Sequence, residues 1–176
     1  MKKIQEIDNF SHIILLEQIR REIEHKFHLV CSKDALRELP KKLNVIEAKK
    51  ASIKGYLKLQ AANEIFLSSA VQAKLIQPCS LTLEPVVTNI YKRITRTFFI
   101  ESQENKLIKK SVFELNEKSF DNDIILDEIN LGEVLMETIS LETPDYPKKS
   151  GVSINITPTK SADKENPFSI LSKLKK

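Results

Sequence analysis

Cys79 and Thr82 stand three residues apart in PCSLTLEPVV, residues 78–87. A cysteine in that setting can be a nucleophile, half of a metal site, a buried packing residue or the trace of a site once used. A thiol nucleophile needs a base, yet the three histidines, His12, His25 and His28, all lie near the N-terminus. His25 and His28 are spaced to share a metal only on a helix, and neither has an HExxH context or a cysteine partner. The carboxylates Asp121 and Asp123, and Asp127 with Glu128, fall in polar segments and read as solvated. Gly55, Gly132 and Gly151 are too dispersed to form a GxGxxG or P-loop phosphate cradle. No catalytic constellation emerges, so the expectation is a protein that is not an enzyme and uses no metal or cofactor.

The chain has 176 residues, enough for one domain with a tail, and its 41% apolar content supports a core. Its net charge of +4 is mild for a nucleic-acid binder. The positive charge comes in clusters: Lys41-Lys42, Lys49-Lys50, Lys92-Arg93 with Arg96, Lys109-Lys110, Lys148-Lys149, and Lys173, Lys175 and Lys176. Any one cluster taken alone reads as solvated surface. The N-terminus MKKIQEIDNF begins basic but lacks the apolar core of an export signal, and two cysteines suit a reducing compartment. No apolar run approaches the roughly 18 residues of a membrane span. A soluble, cytoplasmic protein with no membrane partner is expected.

The elements that must position these residues follow from periodicity. Residues 13–30 fit a helical stripe or strands equally well. SKDALRELPKKL predicts a short helix capped by Ser32 and ended or kinked by Pro40. SIKGYLKL alternates Ile53, Gly55, Leu57 and Leu59 against Lys54, Tyr56 and Lys58, as a strand does. Residues 61–64 are a turn candidate, and residues 66–100 hold three strand-like runs broken near Gln77-Pro78 and Glu84-Pro85. In the last run Val87, Asn89, Tyr91, Arg93, Thr95 and Thr97 share one face, and Thr88, Ile90, Lys92, Ile94 and Arg96 the other. The centre is therefore expected to be an antiparallel sheet. Residues 101–123 read as a long polar loop. ILDEINLGEVLMETISLETPDYP predicts a helix with Asn130 as cap and Glu133 in a capping box. Residues 148–165 have linker composition, and 166–176 form a short amphipathic motif with Phe168, Ile170, Leu171 and Leu174 on one face. Residues 1–147 are expected to make one domain.

In order along the chain, C-x-x-T-L-E-P-V, N-L-G-E-V-L-M-E, P-D-Y-P-K-K-S-G and the terminal N-P-F-S-I-L-S-K-L-K-K resemble the YceD family of large ribosomal RNA subunit accumulation proteins. The family-like positions are Cys79, Leu83, Glu84, Pro85, Leu131, Gly132, Glu133, Pro147, Asn166, Pro167 and Phe168. Many members look like C-x-x-C at the first motif. Here Thr82 takes the second place, and one thiol with a threonine cannot form a two-cysteine site. Cys79 is accordingly read as a packing residue at the start of a strand. The resemblance also favours strands near 12–16 and 22–30, and implies an α+β fold: a mainly antiparallel sheet with a few short helices and a C-terminal tail helix.

The resemblance implies a non-enzymatic role in accumulation or processing of large-subunit ribosomal RNA. The partner would be that RNA or its precursor particle, or else a ribosomal protein or RNA-processing enzyme. The candidate contacts are Lys92, Arg93, Arg96, Lys148, Lys149, Leu171, Leu174, Lys175 and Lys176. The rival expectation is an adaptor outside ribosome assembly that docks through NPFSILSKLKK.

Overall fold

Residues 64–78 alternate so regularly that one strand face is buried throughout, and apolar except at Ser69 and Gln77. The computed structural model, which describes residues 4–100 and 123–153, makes this segment the strand β5 (Glu64–Pro78), with Ile65, Leu67, Ser69, Val71, Ala73, Leu75 and Gln77 all buried. Before it runs β4 (Glu47–Ala61), joined through the turn at Ala62 and Asn63, and after it β6 (Pro85–Ile100). Both pair antiparallel with β5 along nearly their whole length. β3 (His25–Cys31) adds antiparallel to β4. The edge strands are parallel additions: β1 (Gln5–Ile7) on β3 and β7 (Asp123–Ile125) on β6. The resulting order is β1-β3-β4-β5-β6-β7, with a separate ribbon of β2 (Ile13–Leu15) and β8 (Glu128–Asn130).

The three helices among the described residues all pack on one face of the main sheet. α1 (Leu16–Arg20) and α2 (Lys33–Lys42) lie against β4, and α3 (Leu131–Glu142) against β5 and β6. Their buried residues Ile19, Leu39, Leu135 and Ile139 join Leu29, Ile53, Leu57 and Leu67 in one core. The α+β fold, mainly antiparallel with short helices, is the expected one. At the ambiguous N-terminus the strands β2 and β3 fall close to the positions expected, with the short helix α1, which was not expected, between them.

α3 runs from the expected cap at Asn130 to just short of Pro144, and the residues ahead of it form β7 and β8 against β6 and β2. Two local expectations change. Asn130 does cap α3, its Oδ1 accepting from Gly132 N at 3.1 Å, but the second donor is His12 N at 2.9 Å while Glu133 faces solvent. Pro40 sits inside α2, which continues to Lys42. Near a C-terminus its missing N–H forfeits one intrahelical bond, a smaller loss than in mid-helix. Ser32 caps α2 as expected, accepting from Ala35 N at 3.2 Å. The terminal motif 166–176 and loop residues 101–122 lie outside the described residues.

Gly132 sits on the first turn of α3 against the chain between β1 and β2, where Asn9 and Phe10 take left-handed backbone angles. A Cβ there would collide with the backbone of Phe10 and Ser11. Alanine normally stabilises a helix over glycine by about 1 kcal/mol. We expect the opposite sign here: Gly132→Ala loses about 2–3 kcal/mol to overpacking. Urea unfolding checks this; an unchanged or raised midpoint would contradict it.

Candidate nucleic-acid interface

With the helices gathered on one face, the side chains pointing the other way from β3 to β6 have only solvent or a partner to meet among the described residues. Cross-strand register lines them up. His28, Lys54, Ala70 and Arg93 form one row, and Lys26, Tyr56, Ser68 and Thr95 the next. Lys58, Phe66 and Thr97 follow on one side; Gln72 with Tyr91, and Lys50 with Lys74, lie on the other. Acids on this face stand at its margins, with Glu6 on the edge strand β1 and Glu47 and Glu64 at strand ends. Among the described residues Lys50, Lys54, Lys58 and Lys74 make no ion pair, while Lys26 pairs with Glu24 at 3.3 Å. Arg93 Nε donates to Tyr91 Oη at 3.3 Å.

The face is hollowed. A trough of about 850 Å³ is lined by Lys26, His28, Lys54, Tyr56, Ser68 and Arg93, with Ile4, Ala70 and Thr95 among its other walls. Its floor is low because Ser68 and Ala70, the β5 residues between the flanking rows, are small. A smaller hollow of about 250 Å³, lined by Tyr56, Lys58, Gln60 and Phe66, adjoins it.

The candidates Lys92, Arg93 and Arg96 are separated by strand alternation. Only Arg93 reaches the open face. Lys92 turns to α3 and pairs with Glu142 at 2.6 Å. Arg96 forms a two-pronged pair with Glu137 at 2.8 and 3.0 Å and also meets Asp123 at 3.2 Å, tying β6 to α3 and β7. That pairing holds the Glu137 carboxyl below its ordinary range, chiefly through the Arg96 hydrogen bond. Lys149 is on another part of the surface, its Nζ 2.7 Å from Glu84 Oε2. Lys148 is exposed beside it. The terminal residues Asn166, Pro167, Phe168, Leu171, Leu174, Lys175 and Lys176 lie outside the described residues.

The other family-like positions build a latch. Cys79 follows β5 instead of opening a strand, because CSLTLE makes the tight connection to β6 with Leu83 in the left-handed region. Cys79 N donates to Glu84 O at 2.8 Å and Leu83 N to Cys79 O at 2.9 Å. Pro85 opens β6 opposite Pro78. Residues 144–149 clasp this loop: Ser80 N reaches Pro147 O at 2.8 Å, Gln77 Nε2 reaches Pro144 O at 2.9 Å, and Lys149 N reaches Cys79 Sγ at 3.4 Å. Leu131 is fully buried, its N–H bonded to His12 O at 2.9 Å.

The Cys79 sulfur has no accessible surface, yet it lies just beneath the rim, where desolvation is a minor counterweight. The Thr82 hydroxyl, then backbone N–H groups of Leu81, Lys149 and Thr82, pull its pKa down from 9.0 to about 6. The bond to the sulfur seen in the geometry comes from Lys149 N, while the Thr82 hydroxyl also lies 3.4 Å from Glu84 Oε2. Cys31 is the opposite case: burial in the core pushes its thiol up to about 12. His25 and His28 lie on β3 and point to opposite faces. Among the described residues no three His, Cys, Asp or Glu gather to hold a metal ion, and no helix is long and apolar enough to cross a membrane.

Among the described residues, fold and surface define an α+β protein with one sheet face packed by helices and the other open, hollowed and cationic. By sequence the chain belongs to the YceD family, described as the large ribosomal RNA subunit accumulation protein, whose profile matches residues 67–175. That description ties the family to large-subunit ribosomal RNA accumulation. No curated protein and no solved structure matches the chain.

Two outcomes are expected. Because the folded Cys79 thiol binds its proton more weakly than an ordinary one, its contribution to stability is present above about pH 9, declines as pH falls and is gone below about pH 6. The melting-temperature gap between wild type and Cys79→Ala should therefore widen as pH rises through that window; parallel curves would contradict the cradle. Arg96→Gln should lower stability by about 1 kcal/mol, the scale of a partly exposed charge network, in thermal unfolding.

Proposed function

We propose that this chain is a non-enzymatic cytoplasmic factor that supports large-subunit ribosomal RNA accumulation by binding the RNA of the precursor particle on the open face of its main sheet. One observation carries the reading: Lys54, Lys58, Lys74 and Arg93 converge there from three neighbouring strands without a carboxylate partner among the described residues, and Lys26, held by Glu24, stands at their edge. Phosphates are the complementary ligand, since each neutralised phosphate releases counterions and adds affinity that salt removes. The alternation that turns Lys92 and Arg96 inward supports the assignment, because those cations already have carboxylate partners. The non-enzymatic reading is supported by the latch, where Cys79 is sealed from solvent and its amide donors act on the sulfur itself.

Ultraviolet crosslinking in cells, followed by sucrose-gradient fractionation and sequencing of attached RNA, tests this. Wild-type protein should co-migrate with large-subunit precursors and crosslink to their RNA. Lys54→Glu with Arg93→Glu should reduce the crosslinks at least about tenfold, the scale expected for losing several phosphate contacts, with an unchanged circular-dichroism spectrum. Arg96→Gln should leave crosslinking intact. Co-migration without crosslinks in the wild type would overturn direct RNA contact in favour of a protein partner.

A further inference from the structure

The open face carries more than charge. Tyr56 on β4, Phe66 on β5 and Tyr91 on β6 present aromatic rings on three adjacent strands of the same face. Each has a cation beside it. Tyr56 stands between Lys54 and Lys58 on its own strand, Phe66 is directly opposite Lys58, and Tyr91 is hydrogen-bonded to Arg93. Tyr91 is 58% exposed, and Tyr56 forms a shared wall between the trough and the smaller hollow.

Building on the RNA reading above, we propose that this face holds unpaired nucleotides of a single strand, not a duplex. The bases stack on Tyr56, Phe66 and Tyr91, and Lys54, Lys58 and Arg93 hold the intervening phosphates. Three physical points converge. The trough, at about 850 Å³, falls within the roughly 300–1,000 Å³ of pockets that enclose small ligands, the scale of a nucleotide or two. A helix of RNA is a convex cylinder that would bridge the trough and leave its floor empty. Base faces are buried within a duplex, so aromatic rings on a sheet gain stacking only from bases that have been splayed apart. A cation beside each ring suits a strand whose phosphates and bases alternate.

The hollow beside Tyr56 supplies the remaining chemistry. Gln60 lines it with Lys58 and Phe66, and an amide can both donate to and accept from a base edge. In the trough the Ser68 and Thr95 hydroxyls stand beside Tyr56 and can meet a ribose 2′-hydroxyl. Tyr56, Lys54 and Lys58 precede residue 67, where the family match begins, whereas Tyr91 and Arg93 lie inside it. The stacking platform is thus built jointly by matched and unmatched parts of the chain.

Fluorescence anisotropy with the full chain tests the proposal. The probes are a labelled single strand of about 12 nucleotides, within the roughly 4–16-nucleotide sites of single-strand binders, and a blunt duplex of the same sequence. The single strand should bind at least about tenfold tighter. Tyr56→Leu and Tyr91→Leu should each weaken it about 5- to 100-fold, the range for losing one stacked base, with the salt slope unchanged. Lys54→Gln should reduce the salt slope by about 0.7. Circular dichroism identifies any variant that fails to fold, and Tyr91→Phe, which keeps the ring, should bind as wild type. A duplex bound as tightly as the single strand, or tyrosine variants that bind normally, would overturn the stacking proposal and leave RNA contact standing. Failure of both the single strand and the duplex to bind would overturn both proposals, and would leave the face to a protein.

Discussion

β5 is the constraint on which the rest depends. It is hydrogen-bonded on both sides, to β4 and to β6, over nearly its full length. Because side chains alternate with a period of two, its register decides at once which residues of three strands face the helices and which face away. A slip by one residue would expose Leu67, Val71 and Leu75 and bury Lys74 and Gln72. The apolar face recruits Leu135 and Ile139 of α3 and Leu39 of α2 into one core. The open cationic face is the direct counterpart of that burial.

The latch at the end of β5 secures the same register. A tight connection ties Pro78 to Pro85, and the Pro144–Lys149 segment holds it from outside through backbone bonds to Ser80 and the side chain of Gln77. In this setting Cys79 needs no second thiol. Its sulfur is buried and accepts from Lys149 N, and the polar groups of Leu81 and Thr82 around it add to the pull, which is why its proton is lost more readily than from an ordinary thiol. Glu84 and Lys149 close the loop above it with an exposed pair, which contributes less than the hydrogen bonds beneath. The family-like residues that the structure describes therefore act mainly by shaping the sheet end and the start of α3.

Charge is partitioned by the same geometry. Arg96 and Lys92 are spent on α3, where Glu137 and Glu142 meet them and fasten the helix to β6. Arg93, one residue from Lys92, points the opposite way and joins Lys54 across β5. Neighbours in sequence thus point to opposite sides of the sheet, Lys92 holding α3 and Arg93 standing on the face away from the helices. The link to large-subunit ribosomal RNA comes from family membership, and the open face is where the proposed contact is built.

Periodicity alone determined a good deal. The alternation of SIKGYLKL, the turn near Ala62, the Ser32 and Asn130 caps and the antiparallel centre are all local properties, set by the preferences of a few adjacent residues. The same alternation already placed Arg93 apart from Lys92 and Arg96, although their closeness in sequence suggested a single patch. Only tertiary structure decided that Lys26, Lys54, Lys58, Lys74 and Arg93 share a surface, because that depends on cross-strand register between residues far apart in the chain. It also decided that Cys79 ends a strand, since the short CSLTLE run alternates like one until Pro147 and Lys149 claim its backbone and sulfur as partners. Local patterns report what a segment prefers; which face it shares, and with whom, is settled only when distant strands pair.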